Sequence, residues 1–289
     1  MAAAVKGEFA PDVVPRHRDG TTAQAHVPVV EASASVIAND WVNDRYKHLV
    51  LSLPAHVPTA QPGQFFHLLC PGQGEGAHIL RRPMSIYAAA PQRVEFLYKV
   101  LGVGTRGLAA LAPQDALNMV GPLGRGFRLE TGWRHVILAA RGVGLATLVP
   151  LADAAAERGI AVTAFLSATS PHYLMSVDRL RAAGSCVITV TDAEGTSDMP
   201  QVEALLRDLI EKRGCDCFAT CGSQRLLSLL QRLGRELAIT GQVALEQNMA
   251  CGMGACFCCV RPFRVGDSIE VRRVCHEGPV FDLQETLAW

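Results

Sequence analysis

Residues 251–275 read CGMGACFCCVRPFRVGDSIEVRRVC. Four of the cysteines follow C-x4-C-x2-C, then fifteen residues, then C: Cys251, Cys256, Cys259 and Cys275. Thiolates are soft ligands, and a four-sulfur site is typical of either zinc or iron. The spacing is that of a [2Fe–2S] site with a distant fourth cysteine. The loop helps to separate the two metals. Gly252 and Gly254 lie between the first two ligands, where the backbone must turn tightly and come close to the centre. Amides exposed there can donate to cluster sulfurs and help set a potential. Structural zinc sites more often use paired CxxC knuckles; this stretch offers one, so zinc is the competing reading. Cys258 adjoins a ligand and is expected to be a small buried side chain.

At 289 residues the chain has room for two or three domains. Lys+Arg and Asp+Glu balance at 27 each, which argues against the basic footprint of a nucleic-acid binder. Apolar residues make up 49 % of the chain. Even so, its longest apolar runs fall well short of the ~18 residues of a membrane span. That much apolar content suggests a surface hidden against another subunit. Five of the ten cysteines crowd into the last forty residues, unlike the framework of a short secreted protein. The first residues carry no secretory h-region, so a reducing cytoplasm is expected. Cys70, Cys186, Cys215 and Cys217 are then expected as free core thiols at strand ends.

Along the chain, residues 1–27 lack any period and are expected as a tail. Residues 28–131 hold short β-like runs between Pro and Gly: VVEASASVIA, YKHLVLSL, GQFFHLLC, MSIYAAA, RVEFLYKVLG and ALNMVGPLG. They predict an antiparallel β-barrel or sandwich, interrupted by a brief helix over 106–111. Residues 132–242 alternate apolar strands with helices, including one over 173–184, and predict a doubly wound parallel sheet. Its ligand belongs outside the carboxyl ends of the strands. Residues 243–289 are expected as a small C-terminal metal module. The fold class is thus α/β plus all-β.

Several motifs carry chemistry. In RRPMSIY, residues 81–87, Arg82 can pair bidentately with a phosphate and Ser85 adds a hydroxyl; a solvated arginine pair is the alternative. In LYKVLGVGT, residues 97–105, Tyr98 and Lys99 supply a ring and a cation before the glycines that lead to Thr105. GPLGRGF, residues 121–127, reads equally as a barrel corner. ARGVGLA, residues 140–146, places Gly142 and Gly144 after a buried strand and before a helix, where a phosphate loop belongs. Cys221 and Gly222 end the last long strand, and Ser223 supplies a helix N-cap.

With these motifs in this order, the chain resembles the ferredoxin–NADP reductase superfamily. Within it, it is most similar to the electron-transfer subunits of heteromeric NAD-linked dihydroorotate dehydrogenases. MACGMGACFCCV and RRVCHEGPVFD are the most specific stretches. The resemblance implies a first domain holding FAD through Arg82, Pro83, Met84, Ser85, Leu97, Tyr98, Lys99, Gly104 and Thr105. It implies a nicotinamide nucleotide near Gly142, Gly144, Cys221 and Gly222, and a [2Fe–2S] cluster on Cys251, Cys256, Cys259 and Cys275. The chain departs from relatives in the second domain: it has AARGVG for a richer glycine run, Thr147 for a proline, Ser167–Thr169 for Gly-x-Arg and CGS for CGP. The missing arginine leans toward NAD over NADP. Nothing in the sequence looks like a base or nucleophile for a pyrimidine, so the implied substrate site lies on an FMN-containing catalytic subunit, in a heterotetramer. The competing functions are an NAD(P)H-dependent reductase serving an oxygenase, hydrogenase or other flavin dehydrogenase, and a zinc-binding adaptor.

Overall fold

The structure is a computed structural model that describes residues 28–72 and 80–287. The expected tail, residues 1–27, lies outside the described residues.

The first sheet contains β1 (Val30–Trp41), β2 (Tyr46–Ser52), β3 (Phe65–Leu68), β4 (Arg82–Ser85), β5 (Ala88–Ala90), β6 (Arg93–Lys99) and β7 (Ala116–Leu123). All its pairings are antiparallel, in the order β4-β3-β7-β1-β2-β6-β5. Strand β1 shows why it forms. Ala32, Ala34 and Val36 are buried and the residues between them exposed, the period of a half-buried strand. The sheet curls around Leu49, Leu51, Phe66, Leu68, Phe96, Tyr98 and Leu108. The expected barrel is therefore a half-barrel, with β4 and β5 at its edges.

Two local expectations need correction. MSIYAAA is two strands rather than one. Ile86 N–H donates to Gln64 O, but Tyr87 N–H donates to Glu95 O, so the chain leaves β3 and joins β6. The brief helix, α1 (Val103–Ala109), begins three residues earlier than the expected 106–111. Thr105 Oγ1 accepts from the amides of Leu101 (2.9 Å) and Gly102 (3.0 Å) and so fixes its first turn.

The second sheet is built from β8 (His135–Arg141), β9 (Ala161–Ala168), β10 (Cys186–Thr191), β11 (Cys217–Cys221) and β12 (Thr240–Ala244), with helices α2 (Leu145–Glu157), α3 (Val177–Ala182), α4 (Met199–Arg213) and α5 (Gln224–Leu237). Its order is β10-β9-β8-β11-β12, all parallel, so the direction of winding switches between β8 and β11. The apolar run of β11 is buried throughout, as a strand covered on both faces must be. The helix expected over 173–184 is shorter. Pro171–Tyr173 forms a 3-10 turn, and Ser176 takes a left-handed conformation (φ 59°), so α3 starts only at Val177.

The last segment contains a hairpin, β13 (Val260–Val265) with β14 (Ser268–Arg273), and then β15 (Val280–Asp282), which joins the second sheet antiparallel to β12. Its apolar side chains make one core with both sheets: Phe263, Val274, Cys259, Cys275 and Phe281 pack with Leu230 and Val243, and with Phe65 and Leu123 of the half-barrel. Phe263 and Phe281 meet with ring centroids 4.3 Å apart. The segment is thus wedged between the two larger units. Phe281→Ala should cost about 3–5 kcal/mol, the range for emptying a buried aromatic site. Thermal or denaturant unfolding checks this; an unchanged midpoint would contradict the wedge.

Candidate functional site

The half-barrel brings its two candidate motifs together. Arg82 starts the edge strand β4, and its Nη1 donates to Leu80 O at 2.6 Å. Its guanidinium lies over the first turn of α1: a Cβ on Gly104 would sit 3.0 Å from Arg82 Nε. The RPMS and GVGT segments are therefore one surface. Pro83, Met84 and Ser85 are half-buried along β4. Alternation on β6 divides the rest. Leu97 packs toward the second sheet with Tyr46 and Tyr87, and Lys99 ends the strand half-buried. Tyr98 turns into the half-barrel core, where its hydroxyl donates to Asn39 Oδ1 at 2.9 Å. Burial raises its pKa. Thr105 Oγ is engaged in the α1 cap.

At the switch point the glycines are forced by contact. A Cβ on Gly144 would lie 2.6 Å from the Cys221 carbonyl, and one on Gly222 2.4 Å from Arg141 O. The ends of β8 and β11 can meet only if both residues lack side chains. Gly142 faces the half-barrel, 3.6 Å from Tyr46 Oη if given a Cβ. Cys221 is 2 % exposed, and its thiol sits 3.8 Å from Thr147 Oγ1. Burial raises that thiol's pKa, as does the charge of Glu246. Arg141 donates to Ser167 Oγ at 2.7 Å and to Asp192 Oδ2 at 2.5 Å. It is tied across the carboxyl ends of three strands, and its guanidinium holds Asp192 below the usual carboxylate range.

The cysteine loop has the features of a thiolate cradle. Its sulfurs accept from backbone amides. Met253 N and Cys256 N donate to Cys251 Sγ, both at 3.4 Å. Gly254 N donates to Cys275 Sγ at 3.1 Å, and Cys275 N to Cys259 Sγ at 3.4 Å. Cys256 lies beside Cys251, and both Cys259 and Cys251 act on Cys275. Among the described residues no three His, Cys, Asp or Glu side chains are already gathered as a metal site. The donor set fits a thiolate-bound group: soft sulfurs, amides aimed at them, and Arg273 bonding Gly254 O at 3.0 Å. Burial works against the Cys251 thiolate, but the amides of Met253, Cys256 and Ala255 prevail and hold its pKa at about 6. Burial and the neighbouring Cys259 push Cys275 up to about 12.

Cys258, expected buried, is exposed. It follows Phe257, whose left-handed φ of 56° turns the chain outward. Cys186 and Cys215 are only half-buried, while Cys70 and Cys217 are core thiols as expected. Sequence reasoning missed His67 and Tyr46. His67 backs the loop: a Cβ on Gly252 would be 2.7 Å from its Nδ1. Only the three-dimensional fold brings these two residues to the site.

The family description "Iron-sulfur cluster binding domain of dihydroorotate dehydrogenase B" matches residues 246–287. The chain is 31 % identical over 250 residues to the dihydroorotate dehydrogenase B (NAD(+)) electron transfer subunit of Desulforamulus reducens, covering 86 % of this chain and 95 % of that one. The subunit of the same name from Streptococcus pneumoniae is also 31 % identical, over 85 % of this chain and 94 % of its own length. Among solved structures, a chain of an NADH-dependent reduced ferredoxin-NADP oxidoreductase aligns with TM-score 0.74 and 25 % identity, over 88 % of this chain and 90 % of that one. A ferredoxin-NADP+ reductase from Plasmodium falciparum, 12 % identical, shares the fold with TM-score 0.57 over 74 % of this chain and 96 % of its own.

Because the folded chain favours the Cys251 thiolate, that stabilisation is complete above the ordinary thiol pKa and is lost as pH falls through about 6. In metal-free protein, alkylation of Cys251 mapped by mass spectrometry should therefore rise with a midpoint near pH 6. A profile like that of a free cysteine would contradict the amide cradle.

Proposed function

The chain belongs to the family of dihydroorotate dehydrogenase B (NAD(+)) electron transfer subunits, and we propose that it passes electrons between a dihydroorotate-oxidising partner and NAD in pyrimidine biosynthesis. The observation that carries the reading is the amide-lined cysteine loop seated on a half-barrel of flavin-reductase type. In this reading Cys251, Cys256, Cys259 and Cys275 hold a [2Fe–2S] cluster. The C-x4-C-x2-C spacing and the amides that donate to the sulfurs support iron over zinc. Residues 28–131 hold FAD, 132–242 take NAD and 243–289 hold the cluster. The catalytic partner contains FMN and assembles with this subunit as a heterotetramer. Among the described residues no helix is long and apolar enough to cross a membrane, and a cytoplasmic place fits the free thiols.

A flavin exchanges electron pairs with a nicotinamide and single electrons with an iron–sulfur centre. The chain's own residues bind and orient. Arg82, fixed over Gly104, would pair with the FAD pyrophosphate. Pro83, Met84 and Ser85 on the edge strand, Leu97 and Lys99 on β6 and the Gly104–Thr105 turn would hold the flavin. Tyr98 supports that wall from inside the core. Gly144 and Gly222 let the ends of β8 and β11 close together at the switch point, and the open side of Gly142, with Cys221 nearby, would take the dinucleotide there. Arg141 is held by Ser167 and Asp192 and so is not presented to a 2′-phosphate, which favours NAD.

The direct test combines the chain with an FMN-containing dihydroorotate dehydrogenase subunit and measures dihydroorotate-dependent NAD+ reduction. Turnover with another substrate, with dihydroorotate left untouched, would give the alternative reductase reading. Cys259→Ser should abolish electron flow to the partner while FAD stays bound; cluster absorbance intact in that variant would contradict the ligand set. Arg82→Ala should weaken FAD by about 1.5–3 kcal/mol, the scale of a hydrogen bond to a charged group. Flavin retention on desalting reads this, and unchanged retention removes Arg82 from the site.

A further inference from the structure

His67 has no role in the assignments above, yet it stands where they meet. It lies on β3, is 1 % exposed, and its Nε2 has no hydrogen-bond partner. A second buried atom without a partner, Asn118 Oδ1, lies on the adjacent strand β7. Buried polar atoms left unpaired are costly, and each needs an explanation.

The sheet register places the imidazole. Phe66 and Leu68 fill the half-barrel, so Phe65 and His67 point to its outer face. Phe65 there joins the core shared with Cys259 and Cys275. Val120, the β7 partner of His67, packs against the same core. The cysteine loop closes over this face. Gly252 has its Cα on the Nδ1 edge of the ring, with no space for a Cβ. On the other side, the β4 partner of His67 is Pro83 of the RPMS segment, one strand spacing away, about 5 Å. The buried imidazole thus borders the sulfur loop and lies on the strand next to the RPMS segment. Burial, with the charges of Arg81 and Arg82, holds its pKa down at about 4. The ring is therefore neutral at ordinary pH.

We propose that His67 is a positioning residue that sets the reduction potential of the centre held by Cys251, Cys256, Cys259 and Cys275, through a neutral imidazole dipole fixed beneath Gly252. This rests on the iron–sulfur reading above. Assigning the ring proton to Nδ1 turns the positive end of the dipole toward the loop and leaves Nε2 as the unpaired acceptor. Reduction adds one electron, and so one negative charge, to the centre. A buried dipole aimed at it stabilises that charge more than water-screened groups do. Removing the dipole then lowers the potential.

The experiment compares wild-type holoprotein with His67→Leu and His67→Gln. Iron and sulfide are quantified first, and a potentiometric titration is then followed by EPR and visible absorbance. Leucine should keep the iron and shift the reduction equilibrium about tenfold toward the oxidised form, about 59 mV for a one-electron couple. Glutamine, which retains an N–H donor, should fall between. Equal midpoints in all three proteins would overturn the proposal. So would loss of iron from both variants, which would make His67 a structural support alone. Wild-type protein without iron would instead overturn the cluster reading, and this inference with it.

Discussion

The close approach of a cysteine loop to a β-sheet face is the constraint on which the rest of the molecule depends. Gly252 and Gly254 both take left-handed φ angles, 71° and 87°. Their missing side chains leave room for His67 on one side and His276 on the other. These conformations point successive amides at the sulfurs of Cys251 and Cys275. A side chain at either glycine would push the loop off the sheet and turn the amides away. The sulfur cradle and its distance from the half-barrel are therefore set by one feature. The Phe263–Phe281 pair and the return of β15 to the second sheet then lock that placement.

A similar contact organises the second sheet. Gly144 and Gly222 abut where the strand order reverses, and Gly142 beside them faces Tyr46 of the half-barrel. Arg141, Ser167 and Asp192 span the neighbouring strand ends. At the end of β8 this chain has an arginine held by a carboxylate. The C-terminal segment, which carries the sulfur loop, packs against both the half-barrel and the second sheet.

Much of this was legible in the sequence because it depends on local rules. The C-x4-C-x2-C spacing, the glycines between its ligands and the alternation of β1 each name their structure. So does the continuous apolar run of β8. What escaped depends on contacts between distant residues. The helix over 173–184 looked continuous, since nothing in its pattern reveals that Ser176 turns left-handed. Cys258 looked like a core thiol, and Phe257 carries it into solvent. Tyr98 looked like a ring for a ligand, but the phase of β6 buries it against Asn39. His67 was one apolar-flanked histidine among nine in the chain. Its meaning appears only when Gly252 closes over it.

The central claim is that four thiolates near the carboxyl end carry a two-iron centre on a subunit that conducts electrons. Iron and acid-labile sulfide analysis of anaerobically purified protein, joined to low-temperature EPR after dithionite reduction, tests it most directly. The account predicts about two irons and two sulfides per chain, with a rhombic signal from the reduced centre. Stoichiometric zinc, with neither iron nor signal, would contradict it.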